Sequence, residues 1–255
     1  MEPISLDTGT DQLLCQVDDG VATLTLNRPD KRNALSNQLT PALRQMLFTL
    51  EDDPAVRCLV ITGAGRAFCA GGDVSGMGGN ADAATDSPQP LLEDAVRQLQ
   101  RRQETLTLRL FDLAKPTIAA LPGAAAGAGM SIALACDLRI AAQSAFITTA
   151  FANIGLPGDY GGSWLLTQLV GAARAKELFF TGRRVGAEEG LALGLFNEVV
   201  ADEALQARAH ALAATIAAGP PVALRYMKEN IHRAVQGDLR GALAWEADRT
   251  VRCAR

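Results

Sequence analysis

The sequence predicts an α/β protein built from repeated ββα units and closed by a helical C-terminal region. Three observations carry that prediction. Short apolar, β-branched runs alternate with glycine loops and helical stretches between about residues 56 and 170. Two of those loops, Phe68-Cys69-Ala70-Gly71-Gly72-Asp73 and Pro122-Gly123 through Gly127-Ala128-Gly129, resemble one another in place and composition. From Asp202 onward the periodicity is helical throughout, with no strand pattern.

Residues 13–26 read as a hairpin, with Leu14–Val17 and Val21–Leu26 alternating in period two about the turn Asp18-Asp19-Gly20. Asn27 to Asn33 is a polar loop holding Arg28, Lys31 and Arg32. Ser36 or Thr40 can cap the helix that follows, whose buried stripe is Leu39, Leu43, Met46, Leu47 and Leu50. A buried strand at 56–62 leads into the first glycine loop. Ser75–Pro90, rich in Gly, Asp, Ser and Ala, is expected to be a mobile loop, and a helix spans about 91–113, ended by Lys115-Pro116. A strand at 117–121, the second glycine loop, a helix to about 136 and short strands near 138–141 and 145–149 make a second round. Gly155–Gly162 is a further loop that opens a helix near Ser163. Helices at 202–218, 222–236 and 239–252 complete the chain. The organisation expected is a core over 1–200 and a helical oligomerisation region over 201–255.

The chain has 255 residues, 48% of them hydrophobic and 20% charged, which is ample for one large core. A net charge of −4 argues mildly against a nucleic-acid partner. The five cysteines are scattered and never at CxxC spacing, so neither a disulfide framework nor a zinc site is expected, and a reducing, cytoplasmic location follows. No apolar signal segment follows Met1. The longest uncharged run, Pro116–Cys136, has membrane-span length, but Pro122 and three glycines read it as strand, loop and buried helix.

Several chemistries can be weighed from residue types alone. Both histidines, His210 and His232, fall in the C-terminal helices, where exposed positions are expected. Gly129-Met130-Ser131 has the outline of a nucleophile elbow, yet Ser131 also reads as a small residue in a tightly packed helix. Gly63-Ala64-Gly65 begins a dinucleotide fingerprint that Phe68 breaks. Arg28, Lys31 and Arg32 suit either a bound polyphosphate or a solvated loop. Consecutive glycines let a ligand approach the backbone, and two such places suggest two N–H groups aimed at one developing negative charge. Asp159 stands among apolar neighbours in a glycine loop. Burial would make it a proton shuttle, while its position also suits a helix cap. Asp73 and Asp137 look structural.

Taken together, these segments resemble the crotonase, or enoyl-CoA hydratase/isomerase, superfamily over essentially the whole length. The carrying segments are Leu26-Asn27-Arg28-Pro29 with Lys31 to Leu35, Ile61-Thr62-Gly63 with Ala67 to Asp73, Lys115 to Ala120, Gly123 through Gly129 with Cys136-Asp137, and Gly155-Leu156 with Gly161-Gly162 and Gly182. The resemblance implies a crotonase-like spiral of repeated ββα units with a helical C-terminal region, and trimers or dimers of trimers. It also implies an acyl-CoA thioester as ligand, with no metal or redox cofactor and coenzyme A present only as part of the substrate. By motif match, the N–H groups of Gly72 and Ala128 would hold the thioester oxygen. Arg28, Arg32, Ala34 and the strip Ala70, Gly71, Gly72, Asp73 and Val74 would contact coenzyme A. Many relatives use a further C-terminal stretch, past the position of Arg255, to cover the coenzyme or a neighbour.

The departures narrow the activity. The two glutamates with which hydratases deliver water fall at Ser131 and Phe151. The run Ala150-Phe151, Ile154-Gly155-Leu156, Asp159, Gly161-Gly162 and Trp164 is similar to the isomerase branch with a single catalytic aspartate, placed here at Asp159. An isomerase moving a double bond of an enoyl-CoA is therefore expected, against two alternatives: a non-catalytic acyl-CoA binder, and a weak hydratase working through Asp159 alone. Asp159 discriminates them, since a carboxylate that caps the helix and faces away would favour the binder.

Overall fold

Each early strand pairs where its alternation points. In the computed structural model, which describes residues 3–73 and 91–254, β2 (Leu13–Asp18) and β3 (Val21–Leu26) form an antiparallel hairpin. Its two turn residues, Asp19 and Gly20, both have positive φ, as a tight turn matching the strand twist requires. β1 (Ile4–Leu6) adds to its outer edge. From β3 inward the pairing is parallel, through β4 (Cys58–Gly63), β6 (Thr117–Leu121), β8 (Leu138–Ala142) and β11 (Glu198–Val200). β4 and β6 are buried at every position, which is why they read as continuous apolar runs rather than alternating ones.

A second sheet has the order β10-β9-β7-β5, from β10 (Val185–Gly186), β9 (Phe146–Thr148), β7 (Ala124–Ala126) and β5 (Ala67–Cys69). The rounds are therefore β4-β5, β6-β7 and β8-β9. In each, the first strand extends one sheet and the second extends the other before a helix returns the chain. This is the expected spiral of ββα units, with three rounds. β5 and β7 run through the two stretches read as glycine loops, and they escape a sequence reading because three small residues show no periodicity.

The helices follow the predicted stripes closely. α1 (Leu39–Asp52) buries Leu39, Leu43, Met46, Leu47 and Leu50, and Ser36 Oγ accepts the Leu39 N–H at 3.0 Å, so Ser36 rather than Thr40 serves its start. α2 (Leu92–Gln103) and α3 (Arg109–Asp112) form the rod expected over 91–113, but a π turn at Glu104–Leu108 joins them. α4 (Ala128–Ala135) is wholly buried. α5 (Gly162–Thr181) and α6 (Ala187–Ala192) complete the third round. The loop expected at Ser75–Pro90 lies outside the described residues.

In the C-terminal region α7 (Leu205–Ala217) lies on the large sheet, burying Leu205, Ala209, Ala213 and Ala217 along one stripe. α8 (Pro221–Ala234) and α9 (Leu239–Cys253) pack on each other and bury no residue. Lys228 anchors α8: its Nζ donates to Asp137 Oδ2 at 2.9 Å, and that oxygen also accepts the Thr117 N–H and hydroxyl. Asp137 is structural, as its sequence setting suggested. Among the described residues no helix is long and apolar enough to cross a membrane.

Candidate active site

The basic loop is tightly built. Arg32 and Asn33 adopt left-handed backbone conformations (φ 49° and 57°) at the close of a 3₁₀ turn, Pro29–Lys31. Asn33 is fully buried: its Oδ1 accepts the Arg28 N–H, while Nδ2 donates to the Ala64 and Ala67 carbonyls at 3.0 and 2.7 Å. This one amide fixes the loop to the β4–β5 turn. The loop then runs beside the glycine strip. Ala70 N–H donates to Arg32 O, Leu35 N–H to Gly71 O, and Asp73 N–H to Leu35 O. Arg28 sends Nη1 and Nη2 to Asp73 Oδ2, both at 3.1 Å, and Nη1 also reaches Ala34 O at 2.6 Å. Arg28 is thus a clamp between loop and strip, whereas Arg32 and Lys31 are exposed. A shallow pocket of about 350 Å³ between them is lined by Asp30, Lys31, Arg32, Ala34, Ala70 and Gly72, with Asp73 at its edge. Five of the residues expected to meet coenzyme A therefore share one wall; Val74 lies outside the described residues.

The strip also lies against the start of α4, so the two stretches that hold the expected donors adjoin. A Cβ on Gly71 (φ 91°) would stand 2.8 Å from Ala126 O and 3.4 Å from Ala128 N. One on Gly129 would stand 2.2 Å from Cys69 O. Backbone meets backbone here, so only glycine fits, and the start of α4 lies against the Cys69–Gly72 run. Among the described residues nothing stands within 4 Å of a Cβ placed on Gly72. Among the described residues neither the Gly72 nor the Ala128 N–H donates a hydrogen bond, the latter being one of the unpaired donors that begin any helix. Cys69 is no nucleophile, because complete burial pushes its thiol up to about 12.

Asp159 sits across from α4. Its main-chain carbonyl accepts the Ser131 hydroxyl at 3.1 Å and the Gly162 N–H at 3.1 Å, which ties the loop to the first turn of α4. Its side chain caps nothing. The residue before α5 is Gly161, with no side-chain cap, and the buried Asp159 Oδ1 has no hydrogen-bond partner among the described residues. Burial raises this carboxyl above the usual carboxylate range. The capping alternative thus finds no support. Ser131 is fully buried and spent on carbonyls, which disposes of the nucleophile elbow. Phe151 is buried and stacks on Phe179 with ring centroids 5.9 Å apart. Neither position carries a group able to transfer a proton as a carboxylate does.

A cavity of about 430 Å³ opens between the α2–α3 rod and the start of α5. Its inner wall includes Thr107, Phe111, Tyr160, Gly161, Trp164 and Leu165. Tyr160 holds a left-handed conformation (φ 49°), and its hydroxyl accepts from Arg44 Nη2 at 3.4 Å. The histidines are half-buried rather than exposed. His232 stacks on Phe111 at 4.0 Å, and burial chiefly lowers its pKa; His210 Nε2 lies 3.6 Å from Asp18. Asn33, Thr107, Phe111 and Tyr160, which line or brace these pockets, are not marked for that by the sequence. For Asn33 the signal available was an asparagine beside a turn; for Thr107 and Phe111, lying in a plain helical pattern, there was none.

Comparison with known proteins agrees with this geometry. The sequence model of the enoyl-CoA hydratase/isomerase family matches residues 16–253. The chain is 39% identical over 236 residues to the 1,2-epoxyphenylacetyl-CoA isomerase of Escherichia coli, covering 92% of this chain and 87% of the relative. It is 34% identical over 234 residues to the short-chain-enoyl-CoA hydratase of Clostridium acetobutylicum, covering 91% and 85%. Among solved structures, an enoyl-CoA hydratase of Mycobacterium smegmatis superposes with a TM-score of 0.85 at 34% identity, covering 95% of this chain and 90% of that one. With the spiral and the matched length in agreement, the chain belongs to the enoyl-CoA hydratase/isomerase family, with the crotonase fold.

Proposed function

We propose that this protein is an acyl-CoA isomerase that shifts the double bond of an enoyl-CoA using Asp159 as its single proton shuttle. The observation that carries the reading is the Asp159 carboxyl itself: half-buried, raised in pKa by that burial, and with its buried Oδ1 unpaired among the described residues. A group poised above the ordinary carboxylate range suits a task that requires taking a proton and returning it. The Asp159 carboxylate removes a proton from C2 of a 3-enoyl thioester. The electron pair moves into a dienolate whose oxygen is held by the N–H groups of Gly72 and Ala128. Protonated Asp159 then delivers the proton to C4, leaving the double bond between C2 and C3. Fixed dipoles of this kind need no reorganisation as charge develops. Hydration would ask the same carboxylate both to activate water and to protonate carbon, with Ser131 and Phe151 unable to help.

In this reading the coenzyme lies along the pocket between Arg32 and the Ala70–Asp73 strip, with Arg28 and Arg32 toward its phosphates. The acyl group enters the cavity beside Tyr160. Assembly as a trimer or dimer of trimers is part of the proposal. It is supported by the apolar side chains that α8 and α9 leave exposed, among them Met227, Ile231, Leu239 and Leu243. The test compares the protein with Asp159→Asn on a 3-enoyl-CoA in deuterated water. Isomerisation and C2 exchange should fall by roughly 100-fold or more in the variant. Equal exchange in both would sink the proposal.

A further inference from the structure

A second cavity, also of about 430 Å³, lies behind the first and against α8. The two share Phe111, Trp164 and Leu165 as a wall. Its body is apolar, with Leu134, Leu169, Ile216, Leu224 and Ile231 among the lining residues. Small-molecule sites of about 300–1,000 Å³ combine such an apolar body with a few placed polar groups. The reaction proposed above makes no use of this space.

One of its polar groups is a buried cation without a counter-ion. Arg139 is 5% exposed and lines the cavity, and it forms no ion pair among the described residues. Nε donates to Leu195 O at 2.7 Å and Nη1 to Cys136 O at 2.6 Å, which fixes the guanidinium. Nη2 donates to none of the described residues. It is not one of the sealed, unpaired atoms either, so it keeps accessible surface. A guanidinium has five N–H donors and stays charged, and burying it unpaired is costly. Burial accordingly lowers the Arg139 pKa.

The other polar groups of the lining leave that charge uncompensated. Asp137 Oδ2 accepts from Lys228 Nζ at 2.9 Å and from the Thr117 N–H and hydroxyl, so this carboxylate and ammonium cancel. Lys228 spends a second N–H on Lys115 O at 3.4 Å and keeps a third. Cys136 keeps its proton, because burial pushes the thiol up to about 12. His232 is stacked on Phe111, and burial chiefly lowers its pKa, which keeps it neutral near pH 7. Gln168 is exposed and uncharged. Asp137 against Arg139 and Lys228 leaves the lining net positive.

We infer that this cavity is a second ligand site, for a monocarboxylate with an apolar tail, whose head pairs with Arg139 beside Lys228. A carboxylate offers the two in-plane acceptors that a guanidinium fork matches, and the tail covers the leucine-lined wall. The inference goes beyond the acyl-CoA reading and does not depend on it.

The test titrates sodium octanoate and 1-octanol into the intact protein by calorimetry near pH 7, then into Arg139→Gln and Gln168→Trp. Octanoate should bind the parent about tenfold tighter than octanol, or better, as one charge-assisted hydrogen bond allows. Arg139→Gln should erase that margin. Gln168→Trp places bulk in the cavity from an exposed position, so it should weaken both ligands about tenfold at unchanged Tm. Hexanoyl-CoA bound beforehand should leave octanoate affinity unchanged. The inference is overturned by absent octanoate binding, by equal affinity for the two ligands, or by a margin that survives Arg139→Gln. Displacement of octanoate by hexanoyl-CoA also overturns it, since octanoate would then occupy the acyl cavity. If Arg139→Gln does not fold, the octanoate-to-octanol ratio and Gln168→Trp decide. Hexanoyl-CoA failing to bind counts against the acyl-CoA reading alone and leaves the octanoate ratio standing.

Discussion

Replacing Gly72 by proline removes one hydrogen-bond donor; it also fixes φ there and restricts Gly71 before it, so the comparison needs a control. The bridge that aligns the glycine strip with the basic loop uses Leu35 N–H to Gly71 O and Asp73 N–H to Leu35 O, so the Gly72 N–H takes no part in it. A Cβ at position 72 meets nothing within 4 Å among the described residues, and φ there is not positive, so Gly72→Ala serves as the control. Loss of one oxyanion donor typically costs about 3–4 kcal/mol of transition-state stabilisation, or roughly 100- to 1,000-fold in kcat. The Gly71→Ala variant is not an equivalent probe, since its Cβ would press on Ala126 O and displace the Ala128 donor as well. The assay is C2 proton exchange of a 3-enoyl-CoA in deuterated water, comparing Gly72→Pro with Gly72→Ala at matched thermal stability. Equal exchange in the two variants would refute the assignment of this N–H to the enolate oxygen.

Two further predictions follow from the charged groups. Because burial raises the Asp159 carboxyl in the folded state, the folded protein binds its proton more tightly than the unfolded chain. The stability this contributes is complete below the unfolded pKa and is lost as pH rises through the raised value. Asp159→Asn should therefore gain in Tm over the parent as pH goes from about 4 to about 7, and a gap that narrows over that range would contradict the buried, unpaired carboxyl. Arg28 and Arg32 should separate cleanly. Arg28→Ala, losing the Asp73 pair and the bond to Ala34 O, should cost about 1–3 kcal/mol of stability. Arg32→Ala should change stability by less than about 0.5 kcal/mol yet weaken coenzyme A binding more at low salt than at high. Denaturant melts and titrations at two salt concentrations check both, and a salt-independent loss for Arg32→Ala would remove it from the phosphate site.

The spiral was legible where strands are long enough to show a pattern. β2, β3, β4 and β6 announce themselves by alternation or by β-branched apolar runs, and α1 by its leucine stripe. β5, β7 and β10 do not, because Ala67–Cys69, Ala124–Ala126 and Val185–Gly186 are defined by the neighbour they pair with rather than by their own residues. The site divides the same way. Glycine pairs at 71–72 and 127–129 mark bare backbone, but that the two stretches adjoin is a tertiary fact, seen only when Gly71 meets Ala126 and Ala128. Asp159 stood out through its apolar surroundings, whereas the freedom of its carboxyl depends on α5 starting at Gly161 without its help. The pairing of Arg28 with Asp73 and the uncompensated charge of Arg139 have no sequence signature, since each depends on what lies across a loop or around a cavity.

The hydroxyl of Ser131 has one further consequence. It occupies a position where hydratases carry a reagent, and here it serves as a tie rod: one end on the helix that offers the Ala128 donor, the other on the carbonyl of Asp159. On the proposed function the Ala128 donor and the Asp159 carboxyl are thereby referenced to a single datum, and α3 and the π turn before it pack on the same helix. On that reading a shift of α4 carries the donor and the Asp159 loop together, so the spacing between them survives it.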